Sequence, residues 1–532
     1  MKTLNKYIFT ALMVTGLSAC SFLGEDPQSF VSGKNYFKNA QQCESVVNST
    51  YTQLRAVFNE TFWLMTEGTS DIIYNPSSSN INAIMDISPA RCGMSESIWN
   101  NSYKMIMYAN AAVEGIRTAP IDSIAKARLI SEAKVMRAFW YYQLTSAFGD
   151  VPFYFDDVKD YETMERIAKL PRMSAVDTRE AIINDLRESL TYDEEGKYTG
   201  PLPMKKASEI EHGRAGWAMG EMLIAKMALW NAAYDKTSGT DWHGVALEAL
   251  HHIESVYGDL AQYPINDLLF RNKNTPEVIF EIQHTYDTGG LSYVSNLAAV
   301  CMPKYDSKSK LFDGVAIPEL DTLAKVGTCS RPNLYFCGAI QPNAGVDKRA
   351  KINMAWDYNG TEFSSTNPKP WMGPKFWCPG MNQTEDFNNY PIFRYADAVL
   401  MMAECYMAKQ DQTNFLKYLN MVKTRAGLPE YRFSKWIKAE EELRDERARE
   451  LFGEFQRKYD LVRWGIWYDE TLKYAPSGTK NYLQANIQPC HEYYPIPDTE
   501  CALTVDETGK PVLSNPAYEA MASEETEGDN EE

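Results

Sequence analysis

Apolar residues recur at helical spacing over the first half and the last quarter of this chain, and lose that spacing in between. In "SEAKVMRAFWYYQLTSAFGDVP" Met136, Trp140, Leu144 and Ala147 form one stripe with Phe139 and Gln143 beside it, which predicts a helix. Gly149, Asp150 and Pro152 supply a stop signal after it. "IFRYADAVLMMAECYMAKQ" carries a second stripe through Ala396, Val399 or Leu400, Ala403, and Tyr406 or Met407. "RDERARELFGEFQRKYDLVRWG" carries a third through Ala448, Leu451, Phe452, Phe455, Tyr459 and Val462. Its charges, Glu454 with Lys458 and Arg457 with Asp460, have the spacing of ion pairs on an outer helix face. Further helices are predicted at Asn39–Phe58, Ile98–Ile116, Arg179–Leu190, Ala215–Asn231, Gly244–Ser255 and Asn414–Arg425. Alanines in "ANAAVEG", "IAKMALWNAA" and "MAECYMA" let helices approach closely in antiparallel pairs. The expected fold is all-α: a tetratricopeptide-like scaffold of helix pairs with long irregular loop insertions.

Two stretches break the pattern. Residues 284–390 are rich in Gly, Pro, Asn, Ser, Thr and aromatics, and residues 69–97 form a smaller irregular segment. Long loops within a compact protein are usually functional. The larger segment holds Trp356, Trp371 and Trp377 together with Tyr286, Tyr293 and Tyr358. Aromatic rings among Asn, Asp and Thr suit a saccharide: ring faces stack on the sugar's C–H face while polar neighbours hold its hydroxyls. The candidate ligand residues are Trp356, Trp371, Trp377, Tyr286 and Tyr293, with Asp71 and Tyr74 from the smaller segment. The competing reading is that these rings fill a small core under the loops, since large apolar side chains tend to be buried.

The N-terminus changes the picture of where this protein works. Lys2 and Lys6 precede a short apolar run from Tyr7 to Leu17, too short to span a bilayer, and small residues follow it. That is the pattern of an export signal over residues 1–19. "LSAC" then resembles a bacterial lipobox, with Cys20 as the lipidated residue and residues 20–35 as a flexible tether. The remaining divisions are a helical part at 36–283, the irregular insertion at 284–390, a second helical part at 391–510 and an acidic tail at 511–532.

Composition adds exclusions. The formal net charge of −18 over 532 residues argues against a nucleic-acid partner. A local basic patch at Lys348, Arg349 and Lys351 is the exception that would suit an anionic polymer. No P-loop, GxGxxG or GxSxG motif occurs, and the six histidines show no metal-ligand spacing. Acid pairs such as Asp156–Asp157 read as solvated faces rather than a catalytic dyad. The expectation is therefore no cofactor, no metal and no catalysis. Nine cysteines remain after Cys20, an odd number; one or two disulfides among Cys301, Cys329, Cys337 and Cys378 are compatible with export.

Five stretches in order carry a family resemblance: "CSFLGEDP", "EAKVMRAFWYYQLTSAFGDVPFYF", "YPIFRYADAVLMMAECYM", the pair "LNMVKTRAGL" and "ERARELFGEFQRKYDLVRWG", and "YYPIPDTE". They are similar to the SusD/RagB family of outer-membrane lipoproteins from Bacteroidetes. The resemblance implies a cell-surface, lipid-anchored protein that captures glycans, sometimes peptides, and caps a TonB-dependent (SusC-like) outer-membrane transporter without being an enzyme. It also implies that Arg394-Tyr395-Ala396-Asp397 and Glu446 to Trp464 are structural, through buried ion pairs and helix seams. An exported glycoside hydrolase and a ligand-free interaction scaffold are the competing classes.

Overall fold

The structure, a computed structural model, describes residues 36–286, 293–320, 329–342, 345–364, 369–476, 482–506 and 508–520. Cys20, the export signal and the expected tether lie outside these residues.

Helices dominate the body. They are α1 (Ala40–Ser49), α2 (Met94–Thr118), α3 (Ser123–Phe148), α4 (Ala175–Arg187), α5 (Trp217–Tyr234) and α6 (Trp242–Tyr257), followed after the insertion by α7 (Tyr395–Ala408), α8 (Gln412–Ala426), α9 (Trp436–Glu450) and α10 (Arg457–Arg463). Short connections fold α2 onto α3, α5 onto α6 and α7 onto α8 as hairpins. Local chemistry sets their ends. Asp122 and Ser174 accept backbone N–H bonds as N-caps of α3 and α4. Gly149 (φ 71°) and Gly427 (φ 85°) take the positive φ that favours glycine and end α3 and α8, Gly427 as a left-handed cap. Among the described residues no helix is long and apolar enough to cross a membrane.

Two expectations about helix faces are corrected. From Ser131 onward α3 is buried on every side, polar Glu132, Lys134, Arg137 and Gln143 included, rather than along one stripe. It runs through the centre of the body, so its exposure carries no helical period. The third stripe is not one helix: α9 stops at Glu450, residues 451–456 turn through Gly453 (φ 74°) and Phe455 (φ 60°), and α10 begins at Arg457. Its charges face inward. Glu454 pairs with Lys375 at 2.5 Å and Arg394 at 2.6 Å, Asp460 pairs with Arg447 at 2.7 Å, and Lys458 donates to the His491 carbonyl at 2.9 Å.

These contacts belong to a buried ionic network at the seam of α7, α9 and α10. Arg394 reaches Glu277, Glu450 and Glu454, and Arg349 reaches Asp347, Glu446 and Glu450. Asp397 bridges Lys226 at 2.6 Å and Arg447 at 2.9 Å. Burial pushes the Asp397 carboxyl up, but Lys226 and Arg447 outweigh it and hold the pKa at about 2. Arg349 is fully buried in this network, so the basic patch read around it is not a continuous surface.

The insertion leaves the body from strand β1 (Val278–Ile282) and returns through β2 (Tyr390–Arg394), which pair antiparallel with Tyr390 opposite Ile282 and Arg394 opposite Val278. That ladder fastens the base of residues 284–390. The insertion has its own small core of Met302, Phe312, Ile317, Phe363, Trp371 and Trp377, so its described residues form a packed layer with few regular elements. Cys301, Cys337 and Cys378 are free thiols, so the expected disulfides among them do not form. Residues 511–520 also pack on the body through Leu513 and Tyr518, so the acidic tail does not begin at 511.

Candidate functional site: the face where the two irregular segments meet

The irregular segments are distant in sequence and joined in space. Ile73–Tyr74 pairs antiparallel with Arg331–Pro332, Tyr74 opposite Arg331. Asn75 donates to the Ser330 hydroxyl at 2.9 Å, and the Asn333 N–H donates to the Ile72 carbonyl at 2.8 Å. Beneath the ladder, the Arg331 guanidinium lies 3.6 Å from the centre of the Trp371 ring, whose indole N–H donates to Asp313 at 2.9 Å. The Asp71 carboxylate anchors the smaller segment by a two-pronged bond to Arg457, at 2.7 and 2.5 Å.

On this base stands a short exposed surface. Leu334 is 67 % exposed, and its neighbour Tyr335 stacks face to face on Tyr474, with ring centres 3.6 Å apart and planes 7° from parallel. Both rings are half-buried, so part of each meets solvent. Burial, then the hydrogen bond with Tyr474, pushes the Tyr335 hydroxyl well above its ordinary pKa. Tyr74 is likewise half-buried, and burial raises its hydroxyl against the lowering influence of Arg331. Residues 76–80, exposed or half-buried, continue the surface with Ser77, Ser78, Ser79 and Asn80. Such a face can stack on a ring and donate or accept at hydroxyls.

A second aromatic position is Tyr293, bridged to Thr285. Tyr293 is 39 % exposed, with the Arg55 guanidinium 4.2 Å above its ring and Arg55 held by the Gln283 carbonyl at 3.1 Å. Nearby His284 is kept neutral, its pKa pushed down to about 3 by burial and by Arg55.

The residues read from sequence divide sharply. Trp371 and Trp377 are 1 % and 3 % exposed, so their rings fill the insertion core and are not a platform. Asp71, 2 % exposed and paired with Arg457, supports the face from below and is not a contact. Tyr286 works as a fastener: its hydroxyl donates to the Glu385 carbonyl at 2.6 Å and accepts from the Asn382 N–H at 2.5 Å. Trp356 is half-buried against the main core. Tyr74 and Tyr293 remain as surface aromatics. Arg55, Arg331, Leu334, Tyr335 and Tyr474 are further residues of these two positions, outside the sequence candidates. Tyr335 meets the same test as the chosen rings, an aromatic in "RPNLYF" among loop residues. Tyr474 lies outside both irregular segments, and only its stacking partner marks it. Among the described residues no cluster of His, Cys, Asp and Glu is arranged to hold a metal ion.

Comparisons with known proteins agree with this architecture. A model described as the SusD family matches residues 340–508, and a SusD-like model described as starch-binding associating with outer membrane matches residues 22–208. A SusD-like protein P25 from Formosa agariphila is 24 % identical, covering 93 % of this chain and 96 % of its own. A SusD homolog from Bacteroides thetaiotaomicron superposes with a TM-score of 0.70 at 18 % identity, covering 91 % of this chain and 99 % of its own. Surface glycan-binding protein A of the same organism, in complex with laminarihexaose, superposes with a TM-score of 0.65 at 18 % identity, covering 90 % and 99 %. With SusD-family models matching residues 22–208 and 340–508 and the same fold over 91 % of its length, the chain belongs to the SusD/RagB family.

Proposed function

We propose that this protein is a cell-surface lipoprotein that captures oligo- or polysaccharide and passes it to a TonB-dependent outer-membrane transporter. It works by binding, without catalysis. The observation that carries the reading is the face at the Tyr74–Arg331 ladder, where a rigid helical body holds the stacked Tyr335–Tyr474 pair and Leu334 at the surface. Stacked rings tolerate variation in a sugar chain, while Tyr74 and the Ser77–Asn80 run select its hydroxyls. Tyr293, backed by Arg55, gives a second stacking position for a longer chain. The neighbour that carries laminarihexaose supports an oligosaccharide as ligand. The anchor is Cys20, which ties this face to the outer membrane in reach of its transporter.

The test is a glycan array with soluble protein beginning at Ser21, followed by calorimetric titration of Tyr335→Ala and Tyr74→Ala. Losing one anchor ring costs more than about 1 kcal/mol at a binding site, so each variant weakens binding about tenfold with little change in melting. Oligopeptide binding with no glycan bound, or wild-type affinity in both variants, overturns the reading.

A further inference from the structure

We infer that a groove on the helical body is a second binding site, one that takes an anionic saccharide unit. The groove, about 1020 Å³, is bordered by α8, the turn at residues 259–266 and the strip at residues 430–432. None of its lining residues belongs to the loop face.

Its charge is unlike that of the molecule as a whole. Against a chain of formal charge −18, this groove gathers Lys348, Lys417, Arg425 and Arg432, opposed by Asp259 and Glu430. Lys348 and Arg432 are exposed and make no ion pair among the described residues. Lys417 shares Glu254 at 3.2 Å. Arg425, 7 % exposed, holds Glu277 at 2.8 Å and Glu450 with its two terminal nitrogens, while its Nε–H has no hydrogen-bond partner. The Tyr431 hydroxyl is also buried without a partner, although Asn420 fixes the Tyr431 backbone from both sides, at 2.7 and 3.3 Å. Those two buried donors face the interior, so what the groove offers a ligand is the pair of exposed cations, Lys348 and Arg432, with Lys417 beside them.

Carboxylate is the acceptor that suits this set, since Arg and Lys bind it by short charge-assisted hydrogen bonds. Pro264, Ile265, Leu416 and Met421 add apolar surface for the C–H face of a pyranose. Asp259 and Glu430 on the same groove repel a densely charged polymer, so a short uronate-bearing sugar fits better than a polysulfate. The choice of a saccharide as carrier of the anion rests on the glycan reading of the loop face; the anion itself does not.

The experiment is calorimetric titration of the soluble chain with trigalacturonate and a glucuronate-bearing xylotriose, with xylotriose as neutral control and inorganic sulfate as bare anion. Wild type binds at least one acidic sugar, with the neutral control and sulfate each at least about tenfold weaker. Affinity falls several-fold as salt rises from about 20 to about 200 mM. The double variant K348Q/R432Q, altered only at exposed side chains, loses about tenfold or more in affinity for the acid. Tyr335→Ala leaves uronate binding unchanged, which separates this groove from the loop face. Failure of both acidic sugars to bind, equal binding of acid and neutral sugars, sulfate as tight as the acids, or wild-type affinity in K348Q/R432Q each overturns the inference. Loss of neutral-glycan binding in Tyr335→Ala with the groove inert counts against the groove alone.

Discussion

Replacing Asp71 with alanine separates support from contact at the loop face. Asp71 is 2 % exposed, and its two oxygens bind Nε and Nη2 of Arg457 at 2.7 and 2.5 Å. Arg457 is itself buried, and apart from Asp71 its guanidinium donates only to the Arg444 carbonyl, at 2.9 Å, among the bonds described. Truncation leaves a buried cation without its counter-charge, a change that costs about 3–5 kcal/mol when a buried pair is broken from one side. At about 2.1 cal/mol/K per residue over roughly 500 residues, the unfolding entropy is about 1 kcal/mol/K, so the melting temperature falls by about 3–5 °C. Differential scanning calorimetry of Asp71→Ala, with Asp71→Ala/Arg457→Met as companion, reads this directly. The double variant removes the orphaned charge and recovers part of the loss. Glycan affinity, measured well below the transition, stays within about threefold of wild type, because Asp71 touches the face only through the backbone it holds. An unchanged melting temperature together with lost binding refutes the reasoning and makes Asp71 a ligand contact.

Trp371→Ala and Trp377→Ala each destabilise by about 3–5 kcal/mol through the cavity left in the insertion core, visible as a lowered melting temperature or earlier proteolysis of the insertion. Asp397, held at about 2 against an ordinary 3.8, gives stability that is fully present above about pH 4 and is lost as pH falls through 2; chemical denaturation of Asp397→Asn from pH 2 to 6 shows a flatter acid limb than wild type. Glu67 behaves oppositely. Burial raises its carboxyl from 4.5 to about 7, against the pull of the Arg457 and Gln456 N–H groups, so it costs nothing below about pH 4.5 and about 3 kcal/mol above 7. Glu67→Gln is therefore stabilising at pH 8 and nearly neutral at pH 4, as denaturant midpoints at the two values will register. The proposed anchor at Cys20 predicts that Cys20→Ala leaves the outer-membrane fraction when the transporter is deleted; retention there refutes the anchor.

Much of the helical scaffold was written locally. The spacing of apolar residues around Met136, Trp140 and Leu144, and the glycines after α3 and α8, act within a few residues of one another, so the sequence alone determines those helices and their ends. The loss of periodicity from residue 284 to 390 is just as local. Which side of a helix is inside is not a local matter. Glu454, Arg457 and Asp460 have the composition of a solvated face, yet the turn at 451–456 carries them inward to Lys375, Arg394, Asp71 and Arg447, partners at remote positions in the chain. The same holds for the loop aromatics. Trp371, Trp377 and Tyr335 share one kind of neighbourhood in sequence, but Arg331 and Asp313 close over Trp371 while Tyr335 stacks at the surface on Tyr474. An aromatic ring gains from burial and from a ligand by the same loss of water-exposed area, so composition cannot tell the two apart. Only the long-range contacts that close over one ring and leave another open decide which of them is free to bind.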